Sequence, residues 1–315
     1  MTNTSTLEHP RRARPRPAPP PQRDGRLVRY FGTTPRMLPV EPGAYLLVGD
    51  LTGAPARRLS ILLRLLGLDR AVPFLALTPA GEDDWRIEDP GQLLPGPFPG
   101  RLLGELRPGS GKVRRVHEPA LLDAHTGAVL VDDPHVLETE FETSWRPLYD
   151  EDAPELYPED LRVDIDELSR LLRGLADLGV VASTAERRAD RREAATAAGA
   201  RLSELDARLA GRRFLFGERL TAAEVELFVL LSDYERVHRP RLVVALGESR
   251  VRHLDDFPAL WAHARELFAL GFMDQREAYH LGVAPGPSGE YIRGSLYARP
   301  GQRHDTLAAW RGSGR

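Results

Sequence analysis

The chain has 315 residues, enough for two domains, and its 42% apolar content can build an ordinary core in each. A formal net charge of -3, with the arginines dispersed, gives no support to a nucleic-acid-binding body, since a phosphate backbone would demand a basic face, and no nucleic-acid partner is expected. There is no cysteine, which excludes disulfides, thiolate metal sites and any covalent step through a protein sulfur.

The opening stretch "MTNTSTLEHPRRARPRPAPPPQRDG" sets five arginines against Glu8 and Asp24 and holds no apolar segment fit for a secretory core, so the expected location is cytoplasmic. Its proline density reads as an extended, solvated tail within a 1–40 lead-in. A tail this basic can alternatively touch an anionic partner. The longest apolar runs, such as 59–66 with its interrupting Ser60 and Arg64, fall short of the roughly 20 residues that cross a bilayer, and no membrane association is expected.

From Gly43 the pattern is strand-like in "AYLLVGD", followed by a turn and a helix over 55–66 in which Leu59, Leu62, Leu63 and Leu66 recur at helical spacing. "AVPFLALTP" at 71–79 is a second short apolar run, so 43–79 reads as a βαβ unit with parallel pairing. The Gly- and Pro-rich stretch 80–111 reads as loop. Within it, "RPGSGK" at 107–112 lacks the full phosphate-loop spacing, has Val113 where Ser or Thr is required, and is better read as a turn. A hairpin follows, with a strand to Leu122, a turn over 123–127, a strand over 128–131 and a helix from about Pro134. The order βαβ then ββα predicts a thioredoxin-like α/β domain over 41–145, with 146–160 as linker.

From 161 to 282 the pattern is helical throughout, beginning with the stripe Leu161, Ile165, Leu168, Leu172, Leu175 and Leu178. An alanine-rich, heavily charged helix is expected over 185–209. In "GERLTAAEVELFVLLSDYERV", Thr221 and Glu224 form a capping box, and Leu220 and Val225 supply the hydrophobic staple. The helix behind it is apolar nearly all round, so it belongs at the centre of its domain. Another helix is expected over 257–270, and 283–315 reads as an irregular tail. Nine histidines contain no pair at the spacing of a helical ligand pair, so no metal site is expected.

A thioredoxin-like domain followed by helices with a capped central one resembles the glutathione transferases. The segments "ELYPEDLRVDIDEL" (155–168), "RFLFGERLTAAEVELFVLLSDYERVHRPRL" (213–242) and "DDFPALWAHARELF" (255–268) narrow the resemblance to the xi class, the glutathionyl-hydroquinone reductases. Those enzymes reduce glutathionylated quinols through a mixed disulfide on their own cysteine. The resemblance runs from about Tyr45 to His280 and implies a homodimer, a small-molecule substrate, and glutathione or another low-molecular-weight thiol as cofactor.

The family's Cys-Pro-Trp-Ala-His-Arg is replaced here by Gly53, Ala54, Pro55, Ala56, Arg57 and Arg58, so the nucleophile has become glycine. By resemblance, thiol contacts fall on Gly53, Trp85, Glu118, Pro119, Asp133 and His135, with the Glu118–Pro119 bond expected cis. Independently of a thiol, the unpaired amides of the helix start over 52–56, strengthened by Arg57 and Arg58, are expected to form an anion-binding spot that could hold a cofactor. Glu118 replaces a small apolar residue and would repel an anionic thiol. The substrate cleft falls on Tyr157, Tyr234 and His280. The groups left for chemistry are Thr52, Tyr45, Tyr279 and His238, as hydroxyls able to hold a thiolate or as a His-Tyr combination able to move a proton. The plainer alternatives are that Thr52 is the helix N-cap, that Arg57 and Arg58 are surface residues of an amphipathic helix, and that the tyrosines are half-buried packing residues.

The expected function is that of a cysteine-less glutathione-transferase-like protein in specialised metabolism, acting on an aromatic or electrophilic small molecule between the domains. Thiol transfer, elimination and isomerisation are all open. The alternative is a non-catalytic binding or scaffold protein that keeps the fold.

Overall fold

The computed structural model describes residues 22–23, 26–80, 84–89, 91–94, 102–106, 116–247 and 250–281. The arginine-rich start, the "RPGSGK" turn with Lys112, and the tail expected after 282 lie outside the described residues.

Two short strands, β1 (Gln22–Arg23) and β2 (Arg26–Leu27), pair antiparallel ahead of the main sheet, in what the composition reads as tail. The sheet is built on β3 (Tyr45–Gly49), whose five residues are all buried because both of its faces are covered. Helix α1 (Ala54–Leu65) carries the chain back to β4 (Phe74–Pro79), which pairs parallel with β3, Leu47 opposite Phe74, as a βαβ crossover requires. Strand β5 (Trp85–Ile87) then adds an antiparallel edge to β4, with Leu77 opposite Ile87. It lies in the stretch expected to be loop, since three residues are too few to leave a periodic signature among glycines and prolines.

The hairpin β6 (Ala120–Asp123) and β7 (Val129–Val131) completes the order β5-β4-β3-β6-β7, with β6 antiparallel to β3. Helix α2 (Pro134–Thr143) follows. The result is the thioredoxin-like mixed sheet with its helices, plus one edge strand.

The C-terminal half is helical: α3 (Arg162–Thr184), α4 (Arg188–Leu209), α5 (Ala222–Asp233), α6 (Arg239–Leu246), α7 (Pro258–Ala269) and α8 (Gln275–His280). In α5 ten of the twelve residues are buried, which is what its all-round apolarity requires. The capping box at Thr221 and Glu224 is formed. Between α5 and α6 the backbone widens into a π-helical turn, Tyr234–His238, which periodicity does not show. Pro240 sits in the first turn of α6 and has no N–H to give to the preceding turn, a physical reason for the loosened bonding there.

One continuous core joins the halves: Leu59, Leu62 and Leu63 of α1 belong to the same buried cluster as Leu227, Phe228 and Leu231 of α5. No helix among the described residues is long and apolar enough to cross a membrane.

Candidate functional site

The turn between β3 and α1 is packed too tightly for anything but glycine at its base. A Cβ on Gly49 would lie 2.7 Å from the Ala56 Cβ and 3.2 Å from both Phe74 and Pro119. The chain then folds on Asp50, whose carboxylate accepts from the Thr52 amide at 2.9 Å and from the Thr52 hydroxyl at 2.5 Å. Gly53, not Thr52, is the N-cap of α1. The reading of Thr52 as cap is therefore corrected: its hydroxyl proton is given to Asp50, two residues back, and it points away from capping. As a thiolate holder it would first have to break that bond.

Glu118 faces the same turn. The Glu118–Pro119 bond is cis, and Glu118 Oε2 accepts from the Asp50 amide at 3.3 Å. Its Oε1 lies 3.9 Å from where a Cβ on Gly53 would begin, so a carboxyl stands beside Gly53 itself. Burial, with the Asp50 charge adding and the Asp50 amide opposing, pushes the Glu118 carboxyl up to about 7. The folded-state value is raised above the unfolded one, so the protonated form is the one folding favours. Stability from this group is complete below about pH 4.5 and declines as pH rises to about 7. Glu118→Gln is expected to flatten that stretch of the stability profile, read by urea unfolding at pH 4.5 to 8; an unchanged slope would show that Glu118 titrates normally.

Arg57 and Arg58 do not line an anion cradle, and neither is a surface residue. Arg57 is 2% exposed; its Nη1 donates to Ser232 Oγ at 2.6 Å and its Nη2 pairs with Asp233 at 2.5 Å. Arg58 bridges Glu138 of α2 at 2.7 Å and Glu226 of α5 at 3.2 Å. Both guanidinium groups are consumed at the seam between the halves. No local signal marks this pairing: α2 carries Glu138, Glu140 and Glu142, α5 carries Glu224, Glu226 and Asp233, and α1 carries Arg64 besides Arg57 and Arg58, so the residue pattern does not single out the partners.

The remaining candidates separate. Tyr45 is buried at the far end of β3, four residues or roughly 13 Å from the turn. Its hydroxyl donates to the Pro39 carbonyl at 2.7 Å, and its ring packs edge-on against Phe31 and Trp145. It is a core residue, which corrects its placement at the site. Trp85 lies half-buried on the edge strand β5. Asp133 is the N-cap of α2, accepting from the amides of His135 and Val136, and His135 is exposed, 3.3 Å from Glu138. Tyr157 donates to Asp166 at 2.8 Å in a small acidic hollow of about 130 Å³ shared with Arg58, Glu138 and Glu142. Glu142 there is buried, and burial followed by the charges of Glu138, Asp166 and Glu226 holds its carboxyl well above the usual range. The side chains of Tyr279 and His280, at the end of α8, lie outside the described residues.

Tyr234 and His238 do come together. They line a cavity of about 550 Å³ walled by α3, α4, α5 and α6, which reaches Ala54 and Arg58 in the first turns of α1. Its walls are mainly apolar, including Leu175, Ala198 and Val229. The cavity thus reaches the first turns of α1 and runs into the helical half, and it shares Arg58 and Glu226 as a wall with the hollow that holds Tyr157. Sequence reasoning missed its depth, because the gap between α3 and α4 is made by small residues, Gly179, Ala195 and Gly199, whose effect depends on how the helices cross.

The family of glutathione S-transferase C-terminal domains matches residues 188–266. Among solved structures, a glutathione transferase from Gordonia bronchialis is 28% identical, with 81% of this chain and 82% of that one covered and a TM-score of 0.63. Glutathione transferase Xi 1 of Trametes versicolor is 21% identical over 89% of this chain and 99% of that one, with a TM-score of 0.68. The xi transferase of Saccharomyces cerevisiae, in complex with glutathione, is 14% identical over 88% and 97%, with a TM-score of 0.69. No curated protein matches. Residues 188–266 thus carry a glutathione S-transferase C-terminal domain, and the chain shares its overall fold with solved glutathione transferases. Its structure is similar to those of xi-class enzymes, and it has no cysteine.

The residues at the turn do not fit glutathione in the manner the resemblance implies. Position 53 offers no thiol, the Glu118 carboxyl stands beside it, and both arginines are spent on internal carboxylates.

Proposed function

We propose that the protein binds a small, largely apolar, aromatic or electrophilic molecule in the 550 Å³ cavity and acts on it without a thiol, by elimination or isomerisation through proton transfer. One observation carries this reading: a cavity that starts at Ala54, where the superfamily's chemistry is sited by resemblance, and continues past Tyr234 and His238. Burial, then Glu235, pushes the Tyr234 hydroxyl up to about 12, so it stays a neutral donor at pH 7. Its proton is given to the Arg252 carbonyl at 2.6 Å, so it shapes the wall, and His238 is the group placed to exchange a proton.

The test is a calorimetric and turnover screen with quinones, epoxides and thiol conjugates, alongside Gly199→Phe. Gly199 lines the cavity and a Cβ there meets nothing within 4 Å, so the phenyl group enters open space without breaking the helix. Binding of any hit should fall at least tenfold in that variant. A screen without a single bound compound, or a hit indifferent to Gly199→Phe, would refute the cavity as the site.

Glu118 favours a second reading, a protein that binds but does not transform. With a carboxyl beside Gly53, an anionic thiol is repelled at pH 8, where Glu118 is ionised. Wild-type protein should be silent to glutathione and mycothiol in calorimetry at that pH, and Glu118→Val should gain measurable affinity. Firm binding by the wild type would refute exclusion by Glu118.

A further inference from the structure

We infer that His238 is the polar anchor of the large cavity and makes it select apolar ligands that carry a hydroxyl. The inference rests on the cavity reading above and adds the residue that sets its specificity. His238 closes the π-helical turn Tyr234–His238, an irregularity that re-aims a side chain relative to an unbroken helix. Its ring lies flat on α3 at Gly179, where a Cβ would sit 3.2 Å from Cδ2 and 3.4 Å from Nε2. Any larger residue at 179 would push the ring away. The imidazole is held on its other side as well, with Nδ1 at 3.1 Å from Ser183 Oγ, and Ser183 Oγ itself 3.1 Å from the Val180 carbonyl oxygen.

That leaves Nε2, which has no hydrogen-bond partner among the described residues. The other polar side chains of the wall are engaged or at the rim. Tyr234 gives its proton to the Arg252 carbonyl, Asp233 is held by Arg57 and Arg236, and Thr196 bonds within its own helix. Glu226 is held by Arg58 and Arg173, Ser203 by Arg252, and Arg192 and Arg250 are exposed. His238 lines the cavity, and its Nε2 is thus a wall atom without a hydrogen bond of its own among the described residues, on a ring that Gly179 and Ser183 hold in place.

Its charge state decides what that atom wants. Burial first, then Arg241 and Arg236, hold His238 below the ordinary histidine value against the opposing pull of Asp233; from α3, Ser183 and Gly179 meet the ring. At pH 7 the imidazole is neutral, so it recruits no anion. A hydroxyl answers either tautomer, because it can donate to a bare Nε2 or accept from a protonated one. A hydrocarbon leaves the atom unpaired in an apolar space, and the missing bond is paid in affinity.

The probes are 2-naphthol and naphthalene, titrated against the full chain at pH 7.5 by intrinsic fluorescence. The wild type should bind 2-naphthol roughly tenfold more tightly than naphthalene, the factor expected for one net hydrogen bond. His238→Leu should erase that preference while keeping naphthalene affinity and thermal midpoint near the wild-type values. His238→Gln should restore part of the preference, and Gly179→Ala, which displaces the ring, should weaken it without touching His238. Naphthalene bound without a preference for the naphthol, or a preference that survives His238→Leu, would overturn the role of His238 and leave the cavity reading standing. Failure of both probes to bind the wild type would overturn the two together.

Discussion

Glu224→Ala is expected to lower the thermal midpoint by about 10 °C and to cost roughly 3–5 kcal/mol. The Glu224 side chain is fully buried and accepts three hydrogen bonds, from the Thr221 amide at 2.8 Å, the Thr221 hydroxyl at 2.7 Å and the Leu215 amide at 2.7 Å. The first two fix the start of α5, and the third ties in the turn before it. Alanine leaves two buried amides without acceptors, at about 1–3 kcal/mol each, and adds a void. Because α5 is the central helix of its half, the loss is not absorbed by fraying at a surface. Glu224→Gln keeps one acceptor and should fall between the two. Differential scanning calorimetry decides it, and a shift of under 2 °C for the alanine variant would mean that the box is not a structural requirement.

Arg58→Met is expected to be comparably severe, about 3–5 kcal/mol at pH 8, and to loosen the seam between the halves. Burial would lower the Arg58 value, but Glu138 and Glu226 more than reverse that, and the guanidinium stays firmly charged. Glu138 is the mirror image: burial raises its carboxyl, yet Arg58 and His135 carry it below the ordinary value. A carboxyl with a depressed folded-state value contributes stability above its unfolded value and loses it as pH falls. Methionine removes the cation and leaves Glu138, Glu226 and the nearby Glu142 facing one another in a half-dry space. The penalty should therefore be large at pH 8 and shrink near pH 5, where carboxyls take up protons. Urea unfolding at both pH values measures this, with Arg58→Met/Glu226→Gln recovering part of the loss if the cost is the stranded charge. Equal destabilisation at the two pH values would assign the effect to packing instead.

Much of the fold was legible because it rests on local rules. The strand at 45–49, the leucine repeat of α1, the hairpin around 123–127, the capping box at Thr221 and the apolar α5 all follow from period and cap chemistry, and the elements stand within a few residues of where the patterns put them. The misses are equally physical. Strand β5 is too short to show a period, and the π-helical turn is one irregular step of five residues that leaves no periodic signature.

At the site, the residue types were the right ones to inspect but their partners were not readable. Thr52 is claimed by Asp50, Tyr45 by the Pro39 carbonyl, Arg57 by Asp233, and Arg58 by carboxylates 80 and 168 positions away. Only Tyr234 and His238 of the candidates whose side chains are described share the large cavity, apart from Arg58 at its edge.

What the sequence determined by itself is chemical: without a cysteine no protein thiol can act here, whatever the fold, since composition is independent of conformation. The order of strands and helices was likewise set locally, by hydrogen bonds and side-chain periods spanning a few residues. Only the tertiary structure decided which charges are spent on one another and which polar atom is left over. Ion pairs such as Arg57 with Asp233, and the seat of His238 on Gly179, join residues that no short-range pattern links, and they exist only once two helices have packed.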